Sequence, residues 1–254
     1  MPQHARCCRP GAHRMPGYST KQECITVHGA ADLRIRSLLD RQQFSDASGE
    51  ALALGISSAM WPLFGLLWPS GHELAAQMAQ RVLPLGQRIL EIGCGLGLAS
   101  LVCHRRGADI TASDCHPLAE AFLLENLRIN GLLPLRYRHG PWDGEPSPMA
   151  FAHRPAVQGR FDLIIGSDVL YERDRDGLLP RFIERHAQDA ACVLIVDPDR
   201  GNRSRFNSRM LDLGFVLTDT RLDRAATPEH LAYKGRLLSF ERLATGRLLT
   251  SLPV

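Results

Sequence analysis

The stretch Arg88-Ile-Leu-Glu-Ile-Gly-Cys-Gly-Leu-Gly-Leu-Ala-Ser100 constrains the fold more than any other part of this chain. Ile89, Leu90 and Ile92 form a short apolar run of the kind buried on both faces of a parallel sheet. The run enters Gly93-Cys94-Gly95-Leu96-Gly97 directly, and Leu98 to Arg105 then reads as a helix. Strand, glycine turn and helix together aim backbone N–H groups at a ligand, and glycine lets that ligand come close to the backbone. The spacing is not that of the dinucleotide fingerprint G-x-G-x-x-G. Gly93 and Gly95 fit it, but the third glycine falls at 97 and position 98 is Leu. Glu91, just before the turn, would repel a pyrophosphate and suits a cationic ligand better.

A chain of 254 residues can bury a full core, and its 44% hydrophobic and 22% charged content is ordinary for a globular protein. No apolar run is long enough to span a bilayer, so no membrane partner is expected. The net charge of +3 is concentrated at one end. Arg6, Arg9, Arg14 and Lys21 precede the first acid, Glu23, and subtracting those four from +3 leaves −1 for the body. A broad nucleic-acid surface is therefore not expected. The seven cysteines show neither C-x-x-C pairs nor His/Cys clusters at zinc spacing, so no metal is expected and a reducing, cytoplasmic compartment is the simplest reading. Residues 1–20 lack an apolar core and read as a flexible basic leader, 21–65 as an N-terminal extension and 66–254 as the main domain. A monomer is expected.

In chain order, Cys24–Val27 and Leu33–Leu39 suggest a β-hairpin, and residues 40–58 a mobile loop. Trp61 to Trp68 leads into a helix over roughly His72–Val82, which Ser70 could cap. After the glycine turn, Asp109–Asp114 reads as a strand ending in an acid nearly twenty residues beyond it, where Rossmann-like sites place a carboxylate on ribose hydroxyls. Helices are expected at Pro117–Ile129, Asp176–Ala187 and Asn202–Leu213. Strands are expected at Leu135–His139, Phe161–Gly166, Cys192–Val196, Phe215–Thr218 and Leu237–Phe240. The alternation predicts an α/β fold, a doubly wound, Rossmann-like seven-stranded sheet with helices on both faces, binding ligands outside the strands' carboxyl ends. Trp142-Asp143, after the third strand, suits an adenine face and its exocyclic amine.

The pattern E-x-G-x-G-x-G over Glu91–Gly97 resembles motif I of the class I methyltransferases, which use S-adenosylmethionine. With Trp68, Asp114, Trp142 and the D-x-x-Y element Asp168-Val-Leu-Tyr171, the region from Ile56 to Phe240 resembles the seven-β-strand family of small protein-lysine methyltransferases. That resemblance implies Trp68, Glu91, Gly93, Cys94, Gly95, Gly97, Asp114, Trp142 and Ser167 around the cofactor, and Asp168 and Tyr171 at the methyl-transfer end. Many members have Trp-Asp where this chain has Trp68-Pro69, and some act on arginine. The implied activity is N-methylation of a lysine on a protein substrate. Two readings compete with it: methylation of a small-molecule amine, and a cofactor-binding pseudo-enzyme that serves as an interaction module.

Overall fold

A computed structural model of the chain describes residues 13–15, 17–143, 154–170, 174, 176–226 and 232–244. Three antiparallel strands come first: β1 (His13–Met15), β2 (Tyr18–Ile25) and β3 (Leu33–Leu38), in the order β1-β2-β3. The expected hairpin is thus present, but it begins inside the expected leader. Thr20 pairs with Leu38 and is fully buried, so Tyr18 to Thr20 belong to the sheet. The expected loop at 40–58 contains a one-turn helix, α1 (Glu50–Ala53), with Asp46 Oδ1 and Oδ2 accepting from the amides of Ala51 and Leu52 at 3.0 and 2.9 Å.

A 3-10 turn over Trp61–Gly65 then leads into α2 (Pro69–Gln80). This helix starts earlier than the sequence suggests. Pro69, with its fixed φ and missing N–H, suits the first helical position and moves the N-cap back to Trp68. Ser70 consequently lies inside the first turn and does not cap the helix.

Alternating strands and helices follow: β4 (Arg88–Ile92), α3 (Leu98–Arg105), β5 (Asp109–Asp114), α4 (Ala119–Ile129), β6 (Arg136–His139), β7 (Phe161–Ser167), α5 (Leu178–His186), β8 (Ala187–Asp197), α6 (Arg203–Asp212), β9 (Val216–Arg224) and β10 (Tyr233–Arg242). The seven strands of the main sheet run β6-β5-β4-β7-β8-β10-β9. β10 is antiparallel to both its neighbours, and the pairs from β6 to β8 are parallel. Chain order reverses between β4 and β7, so the crevice at their carboxyl ends is the switch point where such sheets bind ligands. Among the described residues, no helix is long and apolar enough to cross a membrane.

Each sheet face has its own core, and the two-residue period of β4 splits its side chains between them. Ile89 joins the layer with Leu74, Met78, Leu101 and Phe122, whereas Leu90 and Ile92 join Phe182, Ile183, Phe206 and Met210 on the opposite face.

The N-terminal sheet is fastened to this body in an unusual way. Among the described residues the outer edge of β3 meets no further strand; Asn126 of α4 and Asn130 at its C-cap occupy that place. Asn126 Oδ1 accepts from the Arg36 amide at 2.8 Å, and its Nδ2 donates to the Arg36 carbonyl at 3.3 Å. Asn130 repeats the pair on Arg34 at 2.8 and 2.6 Å. The match is geometric: four helical residues rise about 6 Å, close to the roughly 6.6 Å spanned by two residues of a strand. Asn126 Nδ2 also reaches the Leu96 carbonyl at 3.3 Å, which ties the same side chain to the glycine turn.

Candidate active site

The glycine turn sits at the switch point with Gly93, Gly95 and Gly97 at φ +58, +52 and +72°. Non-glycine residues adopt that region only under strain. Space is equally tight. A Cβ on Gly95 would lie 2.8 Å from the Phe64 carbonyl oxygen. One on Gly93 would lie 2.9 Å from Val169 and 4.0 Å from Trp142, filling the gap between the turn and the indole. Cys94 contributes its backbone, donating to the Ser113 carbonyl at 2.9 Å, while its thiol is buried and pushed well above its usual pKa, chiefly by burial.

Asp114 ends β5 beside this turn. Its Oδ2 accepts from the Gly95 amide and its Oδ1 from the His116 amide, both at 2.8 Å. Burial pushes its pKa up, and those N–H donors pull it back down. The carboxylate therefore holds the turn in place, and it retains lone pairs for a further donor.

Glu91 takes a different place from the one its sequence position suggests. It shares the sheet face of Ile89, so its side chain points under the turn at α3 and not along the crevice. Its Oε2 accepts from the Ser100 amide at 2.8 Å and from the Ser100 hydroxyl in a short contact. Only 3% of it is exposed, and burial raises its pKa to about 7. We read Glu91 as a support for the first turn of α3.

Across β7 lies a second group of expected residues. The half-buried Trp68 donates from Nε1 to the Leu63 carbonyl at 2.9 Å, and the Arg200 guanidinium stands 5.8 Å from its ring centroid. Ser167 ends β7 against Gly71 of α2; a Cβ there would sit 3.6 Å from the Ser167 hydroxyl. Asp168 follows at φ 56°, in the left-handed region, with its amide donating to the Val196 carbonyl at 3.0 Å. Its side chain is 10% exposed and pairs with Arg200 Nη2 at 3.1 Å. Neither carboxylate oxygen accepts a hydrogen bond of good geometry. Burial raises the Asp168 pKa, while the Ser70 side chain, Arg200 and the Ser70 amide pull it down. Tyr171 lies outside the described residues.

Gly93–Gly97, Asp114 and Trp142 thus surround one side of the crevice, and Trp68, Ser167 and Asp168 the other. Val169, one residue after Asp168, joins the two by packing on Gly93. Sequence reading missed Arg200 and Tyr233, and took Ser70 only as a possible helix cap. No local signal marks them, because α2, the end of β8 and β10 meet only in the folded sheet.

His116 gives this region a distinctive acid response. Its ring stacks on Phe64 with centroids 3.7 Å apart and is 4% exposed. Burial lowers its pKa from 6.5 to about 3, with Asp46 opposing and Arg154 adding to the fall. The unfolded chain therefore binds a proton below pH 6.5 that the folded chain refuses, and this contribution to stability is lost as pH falls toward 3. Glu91 acts in the opposite sense. Its folded pKa is raised, so its contribution is complete below 4.5 and lost as pH rises through about 7. Each slope is about 1.4 kcal/mol per pH unit. The two oppose each other between pH 4.5 and 6.5, and of the two only His116 acts below that. His116→Phe should reduce the acid-side loss, leaving the shares of His139 and His186, whose pKa values burial also lowers. Urea denaturation at pH 6.5, 5 and 4 checks it: an unchanged pH dependence in the variant would mean His116 does not fold as a buried neutral ring.

The sheet order, the glycine turn at the β4–β7 crevice and the acid ending β5 define the class I methyltransferase fold. The crystal structure of magnesium protoporphyrin IX methyltransferase from Synechocystis PCC 6803 with bound SAM shares it. That match has a TM-score of 0.51 at 17% identity, over 68% of this chain and 78% of that one. Within that class, residues 65–212 match the family described as lysine methyltransferase, and the chain belongs to this family. The electron transfer flavoprotein beta subunit lysine methyltransferase of Xenopus laevis is 28% identical over 177 residues, 68% of this chain and 65% of that protein. The protein N-terminal and lysine N-methyltransferase EFM7 of Yarrowia lipolytica is 30% identical over 161 residues, 53% of this chain and 57% of that protein. The chain spans between about half and two thirds of the length of the electron transfer flavoprotein beta subunit lysine methyltransferases it matches.

Proposed function

We propose that this protein transfers a methyl group from S-adenosylmethionine to the side-chain amine of a lysine on a protein substrate. The observation that carries the reading is that one family match, over residues 65–212, contains both the glycine turn and Asp168. In this reading Trp68, Gly93, Cys94, Gly95, Gly97, Asp114, Trp142 and Ser167 surround the cofactor, and Asp168 faces the acceptor. The tight spaces over Gly93 and Gly95 and the spare lone pairs of Asp114 fit such a ligand. Bound there, S-adenosylmethionine supplies an electrophilic methyl group on a sulfonium.

A lysine of pKa about 10.4 is neutral in only about one molecule in 2,500 at pH 7, a deficit of roughly 4.6 kcal/mol. A partly desolvated site reduces that deficit. As the methyl group passes, positive charge moves to the acceptor nitrogen. The Asp168 carboxylate, aimed at that nitrogen, accepts its N–H and stabilises the charge where it develops. Arg200 moderates the carboxylate, which limits its preference for the unreactive ammonium.

The test is to incubate the protein with cofactor labelled in the methyl group and a lysate of its own cells. Label in a discrete protein band that hydrolyses to methyl-lysine is the expected result. Methyl-arginine or a labelled α-amine in the same band would change the acceptor. Label in the small-molecule fraction would select an amine metabolite, and no label at all would select a binding module.

A further inference from the structure

The inner face of the N-terminal sheet changes character along its length. Register pairs Ile25 with Leu33, Glu23 with Ile35 and Lys21 with Ser37, and directly paired residues project to the same side. Leu33 and Ile35 are fully buried in the core that also holds Leu74 and Phe122. Beyond them the same face carries Ser37 and Lys21, with Glu23 beside them. A face packed on a core ordinarily stays apolar, because a buried hydroxyl or charge costs free energy unless it is paired. Here the polar end borders a cavity of about 430 Å³, which Leu66, Leu67 and Trp68 also line. Ser37 is 2% exposed, and its Oγ has no hydrogen-bond partner among the described residues. Buried polar atoms are rarely left so, and one that lines a cavity marks a place for a partner from outside the chain.

We infer that this cavity is a docking site for the protein substrate and takes an acidic side chain that flanks the acceptor lysine. This rests on the methyl-transfer reading above and adds a feature of the substrate to it. The charge on the walls sets the sign. Lys21 and Glu23 neutralise each other in an ion pair of 2.8 Å. Arg41, also on the wall, has no side-chain partner among the described residues. That leaves one guanidinium to meet a carboxylate, with the Ser37 hydroxyl as a second donor. Trp68 sets the location, because it lines the cavity and also belongs to the Asp168 side of the crevice. A polypeptide that presents its lysine to Asp168 passes Trp68, and its neighbouring residues reach the cavity from there. The walls also divide along the family boundary. Trp68 and the two leucines lie within residues 65–212, while Lys21, Ser37 and Arg41 belong to the extension outside it. The shared part thus carries the cofactor chemistry, and the added sheet the choice of substrate. The chain's own leader does not suit the cavity: residues 1–12 hold Arg6 and Arg9 and no acid, so like charge opposes it.

Short fluorescein-labelled peptides test this on the full chain. Each carries a central lysine in an alanine–glycine background, with one glutamate moved through the flanking positions and a glutamine-matched control. Anisotropy titration should show binding roughly tenfold tighter than the control, or more, for glutamate in at least one position, the scale of a charge-assisted hydrogen bond. Arg41→Glu should remove that preference and pass it to the peptide with lysine at the same position. Ser37→Val should weaken the glutamate peptide by about threefold yet melt no lower than wild type, since its hydroxyl gives up no internal bond. Glutamate peptides that bind no better than their controls at every position overturn the inference, as does an Arg41→Glu variant that keeps the glutamate preference. Label from the cofactor judges the reaction separately. A glutamate preference without methyl transfer leaves the docking site standing and removes the methyl-transfer reading; transfer without the preference does the reverse.

Discussion

Asp168→Asn should slow methyl transfer by about a hundredfold or more, the scale seen when one positioned catalytic group is lost. Asparagine is the informative replacement here. Asp168 sits at φ 56°, where asparagine is tolerated and alanine is strained by roughly 1–2 kcal/mol. An alanine variant would therefore mix backbone strain with lost chemistry. The asparagine keeps the shape and removes the charge that Arg200 pairs with and that the acceptor nitrogen would meet. Cofactor affinity should stay within a few-fold, because the turn and Asp114 lie across the crevice. Affinity, melting temperature and single-turnover rate measured on one preparation separate the outcomes. A stable, cofactor-competent variant with near-normal turnover would remove Asp168 from the chemistry. A variant that loses binding, stability and turnover together would make the carboxylate a support for the α2 start.

Asp114→Ala is the second large effect. Losing a charge-assisted hydrogen bond to the cofactor should weaken binding by roughly 1.5–3 kcal/mol, about 10- to 150-fold. The structure adds a second consequence that the strand-end position alone does not reveal. The same carboxylate accepts the Gly95 and His116 amides, so the variant should also melt lower than wild type. Calorimetric titration alongside thermal melts checks both, and unchanged affinity for S-adenosylhomocysteine would take Asp114 out of the site.

What could be read from the sequence was local. The strand, turn and helix around Gly93–Gly97 carry their signals within thirteen residues, and α3 runs over Leu98–Arg105 as its residues suggest. Asp114 was legible because its spacing from the turn is fixed by one βαβ unit. The direction of the Glu91 side chain was not legible for want of one detail: which face of β4 each residue occupies, a question decided by the packing of helices far along the chain. Ser70 and Tyr233 are 163 residues apart, and only the antiparallel return of β10 beside β8 joins them. Tyr18 to Thr20 looked like leader because their partners in β1 and β3 are recognised by pairing and not by composition.

The asparagine ladder on α4 also bears on how fast backbone protons of the N-terminal sheet can exchange with solvent. An edge strand ordinarily leaves its amides to water and to any passing strand. Arg34 and Arg36 instead donate to side chains rooted in a helix whose own residues Phe122, Leu123 and Leu127 are buried in the main core. Their deuterium uptake is therefore tied to the opening of α4, and not to fraying of a two-turn hairpin. The sheet that begins the chain inherits the kinetic protection of a helix that begins some eighty residues later, and its edge is closed to strand addition without the use of a single charge.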